Sequence, residues 1–186
     1  MSQPRIISGK ARGIRLLPVP GDTTRPVTDR VKEALFNILS TDIIDASFLD
    51  LFGGTGSIGI EALSRNAKSC LFLEINSKAV ATIKENLLRT RTADAATVLQ
   101  TDALKYLASP QTKSFDYIYV APPQYKGIWE KVMHLIDNNI NHLSEDGWVI
   151  VQIHPIEYVS LELTNLIEFD QRKYGSTLLI FYERKS

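Results

Sequence analysis

The spacing of apolar and polar positions along this chain changes in a regular way. Short apolar runs predict strands, which lie at residues 48–52, 69–74, 96–100, 115–120 and 147–153. Amphipathic patterns between them predict helices, which lie at residues 57–65, 77–89, 103–108 and 127–139. Strands that alternate with helices are typical of an α/β fold built on a parallel sheet.

The C-terminal part of the chain has a different pattern. Residues 166–174 and 177–183 are strand-like, and only Gly175 and Ser176 separate them. The last pair is therefore predicted to be an antiparallel hairpin.

The region before the first strand has a different pattern. Residues 5–19 hold two short apolar pieces around a basic, glycine-containing stretch and predict a hairpin. A helix then begins near Thr28 or Asp29, either of which can cap it. Its predicted apolar stripe consists of Val31, Ala34, Leu35 and Ile38. We expect one domain over residues 1–186, with a basic extension at 1–27 and a core at 28–186.

Composition narrows the class of protein. The chain has 186 residues, 44% of them hydrophobic, which is enough for one substantial core. Cys70 is the only cysteine, so neither a disulfide framework nor a cysteine-based zinc site is expected. The histidines are not spaced as metal ligands, and no apolar run is long enough to span a membrane. We expect a soluble, cytoplasmic monomer that binds neither membrane nor metal.

Charge is balanced overall but unevenly distributed. The chain has 21 basic and 21 acidic residues. Residues 1–32 hold seven basic and two acidic residues, a net charge of +5, so the remainder carries −5. A basic arm of this kind is suited to nucleic-acid phosphates, although a solvated surface is an equally good interpretation of such a charge run.

A glycine-rich loop follows the first predicted strand. Gly54, Gly56 and Gly59 have the G-x-G-x-x-G spacing, which allows a tight turn, close approach of a ligand and close packing of the next helix. Glu74 ends the second strand twenty positions after Gly54, where a carboxylate can accept hydrogen bonds from both ribose hydroxyls. The pattern predicts a nucleoside-containing cofactor, and a purely structural turn is the alternative.

Asp50 helps to distinguish between the possible nucleoside-containing cofactors. A carboxylate beside the loop repels a pyrophosphate, as in NAD, but attracts the ammonium and sulfonium of S-adenosylmethionine. The alternative for Asp50 is a side chain that caps the loop. Asp102 follows the third strand and is suited either to an adenine amino group or to capping the next helix. The predicted cofactor site comprises Asp50, Phe52, Gly53, Gly54, Thr55, Gly56, Glu74, Ile75, Asp102 and Ala103.

The fourth strand runs into a loop with two consecutive prolines. Its residues are Ala121, Pro122, Pro123, Gln124 and Tyr125. A residue before proline is held extended, so the carbonyls of Ala121 and Pro122 point in fixed directions. Such acceptors can hold an exocyclic amine in line with a methyl donor. These five residues are the predicted catalytic segment.

The sequence resembles a known family at several segments. Residues 25–37 (RPVTDRVKEALFN), the glycine loop continuing through residues 61–65 (EALSR), residues 173–177 (KYGST) and residues 5–10 (RIISGK) are all similar to the bacterial 16S ribosomal RNA guanine-N2 methyltransferases. The resemblance implies a Rossmann-like, seven-stranded class I methyltransferase sheet, mainly parallel with a C-terminal antiparallel hairpin. It also implies S-adenosylmethionine as cofactor and ribosomal RNA, or the small ribosomal subunit, as partner. Its cofactor pattern falls on Asp50, Gly53, Gly56, Glu74 and Asp102.

The proline motif departs from the pattern of that family. Its members usually carry Asp or Asn, then Pro-Pro and an aromatic residue, whereas this chain has Ala121 first and Gln124 last, with Tyr125 one position later. Either the loop is an active variant, with Tyr125 stacking on the base, or the protein binds cofactor and assists ribosome assembly without efficient catalysis. An NAD-linked oxidoreductase is a further alternative. The predicted RNA-binding residues are Arg5, Lys10, Arg12, Arg15, Arg25 and Arg30.

Overall fold

The strands form a seven-stranded mixed sheet. The structure is a computed structural model that describes residues 3–22, 26–110 and 112–186. The strand order is β3-β2-β1-β4-β5-β7-β6. The chain folds into two compact units, one ending at Thr101 and the other beginning at Asp102. The seven-stranded fold predicted from the sequence is confirmed, whereas the single domain over residues 1–186 stays a prediction.

The first unit contains three parallel strands, each pair joined through a helix. Its elements are α1 (Asp29–Leu39), β1 (Ser47–Asp50), α2 (Ser57–Ser64), β2 (Ser69–Glu74), α3 (Ser77–Thr90) and β3 (Ala96–Gln100). They match the predicted strands and helices closely. The exception is β1, which ends two residues earlier than predicted, because the amide of Phe52 turns back to donate to the Asp50 side chain.

The second unit contains the antiparallel end of the sheet. Its elements are α4 (Ala103–Ala108), β4 (Phe115–Val120), α5 (Ile128–Asn138), β5 (Leu143–Ile153), β6 (Leu166–Tyr174) and β7 (Thr177–Arg184). Strand β5 runs parallel to β4 and antiparallel to β7, and Tyr174 pairs with Thr177 across the predicted Gly175-Ser176 turn. Strand β5 begins four residues earlier than predicted. A register shift separates the pairing of Leu143 with Phe115 from that of Trp148 with Tyr117. The residues between Leu143 and Trp148 are mostly polar, so the apolar pattern does not predict a strand there.

The N-terminal basic segment is a short hairpin, as predicted. Arg5 and Arg15 form an antiparallel bridge. The amide of Ile6 donates to the carbonyl of Ile14 over 2.9 Å, and that of Gly13 donates to the carbonyl of Ile6 over 2.7 Å. Within residues 3–22 this isolated bridge is the only β pairing, so this segment is a tight turn rather than two extended strands.

Helix α1 begins where the sequence predicts but buries a different face. The Thr28 hydroxyl accepts from the amide of Val31 and caps the helix. Val31 and Leu35 are buried as expected, whereas Ala34 and Ile38 are only half-buried. Lys32 and Phe36 are buried in addition. The predicted stripe is confirmed at Val31 and Leu35 only, and it missed Lys32 because a lysine ordinarily faces solvent, whereas the ammonium of this one has buried partners.

The helices of the described segments are short. None of them is long and apolar enough to cross a lipid bilayer.

Candidate functional site

The glycine loop leaves β1 and enters α2 through a tight turn. The amide of Gly56 donates to the carbonyl of Gly53 over 2.7 Å, and the amide of Gly53 donates to the carbonyl of Leu73 at the end of β2 over 2.9 Å. Gly56 has a φ of 83°, which a residue with a side chain rarely adopts. The loop is therefore fixed at both ends by the backbone.

Gly59 explains why the third glycine of the motif is needed. A Cβ atom there would lie 2.3 Å from the Phe72 ring and 2.7 Å from the Cys70 sulfur, both on β2. Helix α2 thus packs on β2 at a distance that only glycine permits. This is the close helix packing that the spacing predicts.

Glu74 links the glycine loop to the start of α3. Its Oε2 accepts from the amide of Gly54 and its Oε1 from the amide of Asn76, both over 2.9 Å. A carboxylate has about four acceptor sites, so both oxygens can still accept from a ribose diol. At Gly54, an added Cβ would meet no atom within 4 Å, so the loop borders open space at this position. These residues fit a nucleoside-containing cofactor, with the half-buried Glu74 and the exposed Ile75 beside it.

Asp50 is enclosed rather than open to solvent. Asp50 is only 1% exposed, and its Oδ1 accepts a hydrogen bond from the amide of Phe52 over 3.3 Å. Burial raises the pKa of this carboxyl to about 7, an effect that the nearby Glu74 carboxylate reinforces. The sequence leaves two roles open for Asp50, and in the structure its side chain caps the loop. A direct contact with the cofactor's ammonium stays a prediction.

Asp102 also has a structural role. It is the N-cap of α4, and its Oδ1 accepts from the amide of Lys105 over 2.9 Å. Ala103, the first residue of that helix, is buried. Just before Asp102, the amide of Thr101 donates to the carbonyl of Glu74 over 3.1 Å. The capping role is therefore realised, and the adenine contact stays a prediction.

A buried polar cluster that the sequence patterns did not predict joins the hairpin to α2. Glu61 is fully buried, and its carboxylate accepts from the amides of Ile7 and Ser8 over 3.0 and 3.1 Å. The buried Lys32 ammonium lies 3.4 Å from the Glu61 carboxylate and donates to the Ser57 hydroxyl over 3.0 Å. Burial lowers the pKa of Lys32, and Glu61 opposes that shift. The hairpin therefore rests on the helix that the glycine loop begins.

Asn86 makes a second buried connection. Its amide nitrogen donates to the carbonyls of Leu17 and Thr55 over 3.1 and 2.9 Å, and its Oδ1 accepts from the amide of Leu17 over 2.7 Å. The side chain thus connects the end of the hairpin segment to the glycine loop. The signal is present in the sequence, because Asn86 lies three positions after Ile83 and so falls on the predicted apolar face of α3.

The double-proline loop follows β4 in the second unit. Ala121 and Pro122 are half-buried, whereas Pro123 and Gln124 are exposed. Tyr125 is 66% exposed and has a φ of 63°, in the left-handed region that bulky residues avoid. Its amide donates to the Glu157 Oε1 over 2.7 Å. An exposed aromatic ring is thus held on a strained backbone next to the prolines.

The predicted RNA-binding residues differ in their surroundings. Lys10, Arg12, Arg15 and Arg30 are exposed. Arg5 is exposed too, but its guanidinium is 2.7 Å from the Asp29 carboxylate. Arg25 lies outside the described residues. In the parts of the chain that are described, no cluster of three or more His, Cys, Asp or Glu side chains has the arrangement of a metal site.

The predicted site residues fall into two groups, one in each unit. The first unit brings together Asp50, the glycine loop, Glu74 and Ile75, while the second carries Asp102, Ala103 and residues 121–125. The sheet order and glycine loop define the class of S-adenosylmethionine-dependent methyltransferases. Within that class, the chain belongs to the family described as Conserved hypothetical protein 95, which matches residues 4–183.

Similar proteins carry more specific names. A Bacillus subtilis protein provisionally named an rRNA methyltransferase is 33% identical over 183 residues, covering 97% of this chain and 99% of that protein. The Ribosomal RNA small subunit methyltransferase D of Escherichia coli K12 is 38% identical over 164 residues, covering 88% and 77%. A solved structure of an Escherichia coli protein provisionally named a methyltransferase has a TM-score of 0.87 at 32% identity, covering 99% of both chains.

Proposed function

We propose that this protein transfers a methyl group from S-adenosylmethionine to the exocyclic N2 amine of a guanine in small-subunit ribosomal RNA. The observation that carries the proposal is the carboxylate of Glu74, which the Gly54 amide holds at the open side of the glycine loop. The ribosomal substrate is supported by the names of relatives that are 33% and 38% identical over most of the chain.

The first unit supplies the groups for the donor. Glu74 would accept the ribose hydroxyls, and the glycine loop allows the cofactor to approach the backbone. Asp50 would contribute negative potential near the cationic end of the cofactor, since its pKa of about 7 leaves it partly ionised at neutral pH. The cofactor itself supplies an electrophilic methyl on a sulfonium. No charge has to come from a metal.

The second unit supplies the groups for the acceptor. A guanine amine is a weak nucleophile because its lone pair is delocalised into the ring, so hydrogen bonds that hold its protons promote attack. The carbonyls of Ala121 and Pro122 and the side chain of Gln124 are suited to that role. A C–N bond would form as the C–S bond of the donor breaks, and the nitrogen would release a proton to water. A base inside paired RNA must first be unstacked, and Tyr125 would receive it.

Two alternatives make different predictions. The first alternative is a ribosome-assembly factor that binds the cofactor without turnover. It is suggested by Ala121, because the family that the sequence resembles usually has Asp or Asn at that position. An NAD-linked oxidoreductase is disfavoured, because the Asp50 carboxylate lies directly before the loop that would have to hold a pyrophosphate.

Methyl transfer can be measured directly. Purified protein and S-adenosylmethionine with a tritiated methyl group are incubated with small subunits, and separately with naked 16S RNA, from a strain lacking the protein. We expect incorporation that nuclease digestion and chromatography identify as N2-methylguanosine. Substrate from the parent strain is the control and should take up little label, since its site is already methylated.

The other outcomes discriminate between the alternatives. Binding of S-adenosylhomocysteine and of RNA without any incorporation would favour the assembly factor. Label in a different nucleoside would overturn the guanine-N2 assignment while leaving RNA methylation intact. A thermal shift with NAD but none with S-adenosylhomocysteine would support the oxidoreductase.

A further inference from the structure

The turn that follows β5 carries a local capping motif with an additional long-range contact. Residues Pro155–Glu157 form a single 3-10 turn that His154 caps. The His154 Nδ1 accepts from the amide of Ile156, and the Glu157 Oε2 accepts from the amide of His154, each over 3.2 Å. These two contacts complete a capping box within four residues.

Glu157 also reaches a loop that is 32 positions away. Its other oxygen, Oε1, accepts from the amide of Tyr125 over 2.7 Å. The carboxylate thus bridges the capping box and the double-proline loop. A charged acceptor makes a stronger hydrogen bond than a neutral one, which accounts for how Tyr125 keeps its left-handed backbone.

The Tyr125 ring lies beside the His154 ring. The Tyr125 and His154 ring centroids are 5.9 Å apart, and the planes are tilted by 43° rather than stacked. Tyr125 remains 66% exposed, so most of its surface is open.

We propose that Glu157 is a positioning residue for the methyl-acceptor site and that the Tyr125 ring, with His154 beside it, is the platform for an unstacked nucleobase. The proposal rests on the proposed function and adds two residues to it that lie outside the proline motif. Stacking on an aromatic face requires a fixed ring plane. Glu157 holds the Tyr125 backbone, from which the side chain projects, and the adjacent His154 ring limits rotation of the Tyr125 ring.

The test compares kinetic constants for full-length variants. Glu157→Gln retains the shape of the side chain but replaces one acceptor oxygen by a donor that faces an amide. We expect kcat/KM for the RNA substrate to fall about tenfold to hundredfold, with KM for S-adenosylmethionine unchanged. Glu162→Gln, an exposed substitution in the same unit, is the matched control and should leave both constants unchanged.

Two substitutions at Tyr125 separate the ring from the backbone. Asparagine adopts left-handed φ more readily than most residues, so Tyr125→Asn retains the backbone shape and removes the ring. It should lower kcat/KM for RNA as strongly as Glu157→Gln, whereas Tyr125→Phe, which keeps an aromatic ring, should lower kcat/KM less. In the Tyr125→Asn background, Glu157→Gln should cause little additional loss, because both substitutions act through one ring.

A binding measurement keeps this proposal separate from methyl transfer. A single-stranded RNA containing 2-aminopurine should lose fluorescence on stacking against wild-type protein, less so with Glu157→Gln or the charge-retaining Glu157→Asp, and not with Tyr125→Asn. If the wild type quenches the probe but transfers no methyl group, the proposed function fails and the platform stands. Additive losses in the double variant, or kinetics of Glu157→Gln within twofold of wild type, would overturn the positioning role.

Discussion

At the scale of single residues, Asp50 shows how burial changes the chemistry of a motif side chain. It lies directly before the glycine loop, where an exposed carboxylate would be ionised at every physiological pH. In the fold it is 1% exposed, and its pKa rises to about 7. Its protonation is therefore coupled to folding between about pH 4 and pH 7.

Asp50→Asn tests that coupling. An unfolded aspartate has a pKa of about 3.9, so between pH 4 and 7 the folded protein holds a proton that the unfolded chain has released. Raising the pH across this window therefore destabilises the wild type. Asparagine retains the acceptor for the Phe52 amide and does not titrate. We expect the unfolding free energy of Asp50→Asn, relative to that of the wild type, to increase by a few kcal/mol from pH 4.5 to pH 7.5, with about 4 kcal/mol as an upper bound.

Urea denaturation at several pH values measures the difference. Asp94→Asn, at an exposed position of the same unit, is the control and should give a difference that does not depend on pH. If the Asp50→Asn difference were equally flat, the carboxyl would be ionised in the fold, and its enclosure would not raise its pKa.

At the scale of elements, the N-terminal hairpin is an integral part of the first unit. The amide of Lys10 donates to the Ser64 carbonyl, and that of Ala11 donates to the Ser64 hydroxyl, each over 2.9 Å. Glu61, on the same helix, accepts from two further hairpin amides. The hairpin is thus attached to the C-terminal half of α2, whose other end begins at the glycine loop.

A pair of glycines allows this docking to be tested. Gly9 and Gly13 both have positive φ, of 81° and 85°, so alanine is strained at either position. Only at Gly9 would the new Cβ collide with α2, at 1.9 Å from the Ser64 carbonyl oxygen, whereas at Gly13 it meets nothing within 4 Å. We expect Gly9→Ala to cost about 1–3 kcal/mol more than Gly13→Ala.

Hydrogen exchange locates the loss. In Gly9→Ala the amides of Lys10 and Ala11 should lose protection, because their acceptors lie on α2, while Gly13→Ala should retain it. Equal destabilisation and equal exchange in the two variants would mean that the hairpin is held by its own turn rather than by the helix.

At the scale of the whole molecule, a net charge of zero conceals a basic N-terminal segment. The structure reduces the number of its charges that can reach a phosphate. Lys32 is buried beside Glu61, and Arg5 is paired with Asp29. The exposed hairpin cations Lys10, Arg12 and Arg15 remain, and Arg30 lies on α1.

The salt dependence of RNA binding reports on these cations. Each phosphate contact contributes about 0.7–0.9 to the slope of log K against log salt concentration. Replacing Lys10, Arg12 and Arg15 together by glutamine should therefore reduce the slope by about 2–3, with binding of S-adenosylhomocysteine unchanged. Fluorescence anisotropy at several salt concentrations measures it.

A matched triple variant completes the test. Lys68, Lys84 and Arg89 are exposed cations of the same unit outside the hairpin. Glutamine at these three positions changes the net charge equally and should leave the slope nearly unchanged. Equal reductions in the two triple variants would mean that overall charge, rather than the hairpin, determines RNA binding.

The sequence by itself determined the order and type of the elements and the position of the glycine loop. These features depend on local patterns, such as alternating blocks of apolar residues and a motif of three glycines, and residues close together in the chain are enough to specify them. The tight turn at Gly56, the packing at Gly59 and the terminal hairpin accordingly occur where the sequence predicts them.

Only the tertiary structure decided how the polar side chains are used. Lys32 and Asn86 are buried with partners that lie 25 to 69 positions away in the chain, and Glu157 meets Tyr125 across 32 positions. The enclosure of Asp50 likewise depends on the packing around it rather than on its neighbours in sequence. Burial and long-range hydrogen bonds are properties of the assembled fold, and they set the charge state and orientation on which the chemistry of these side chains depends.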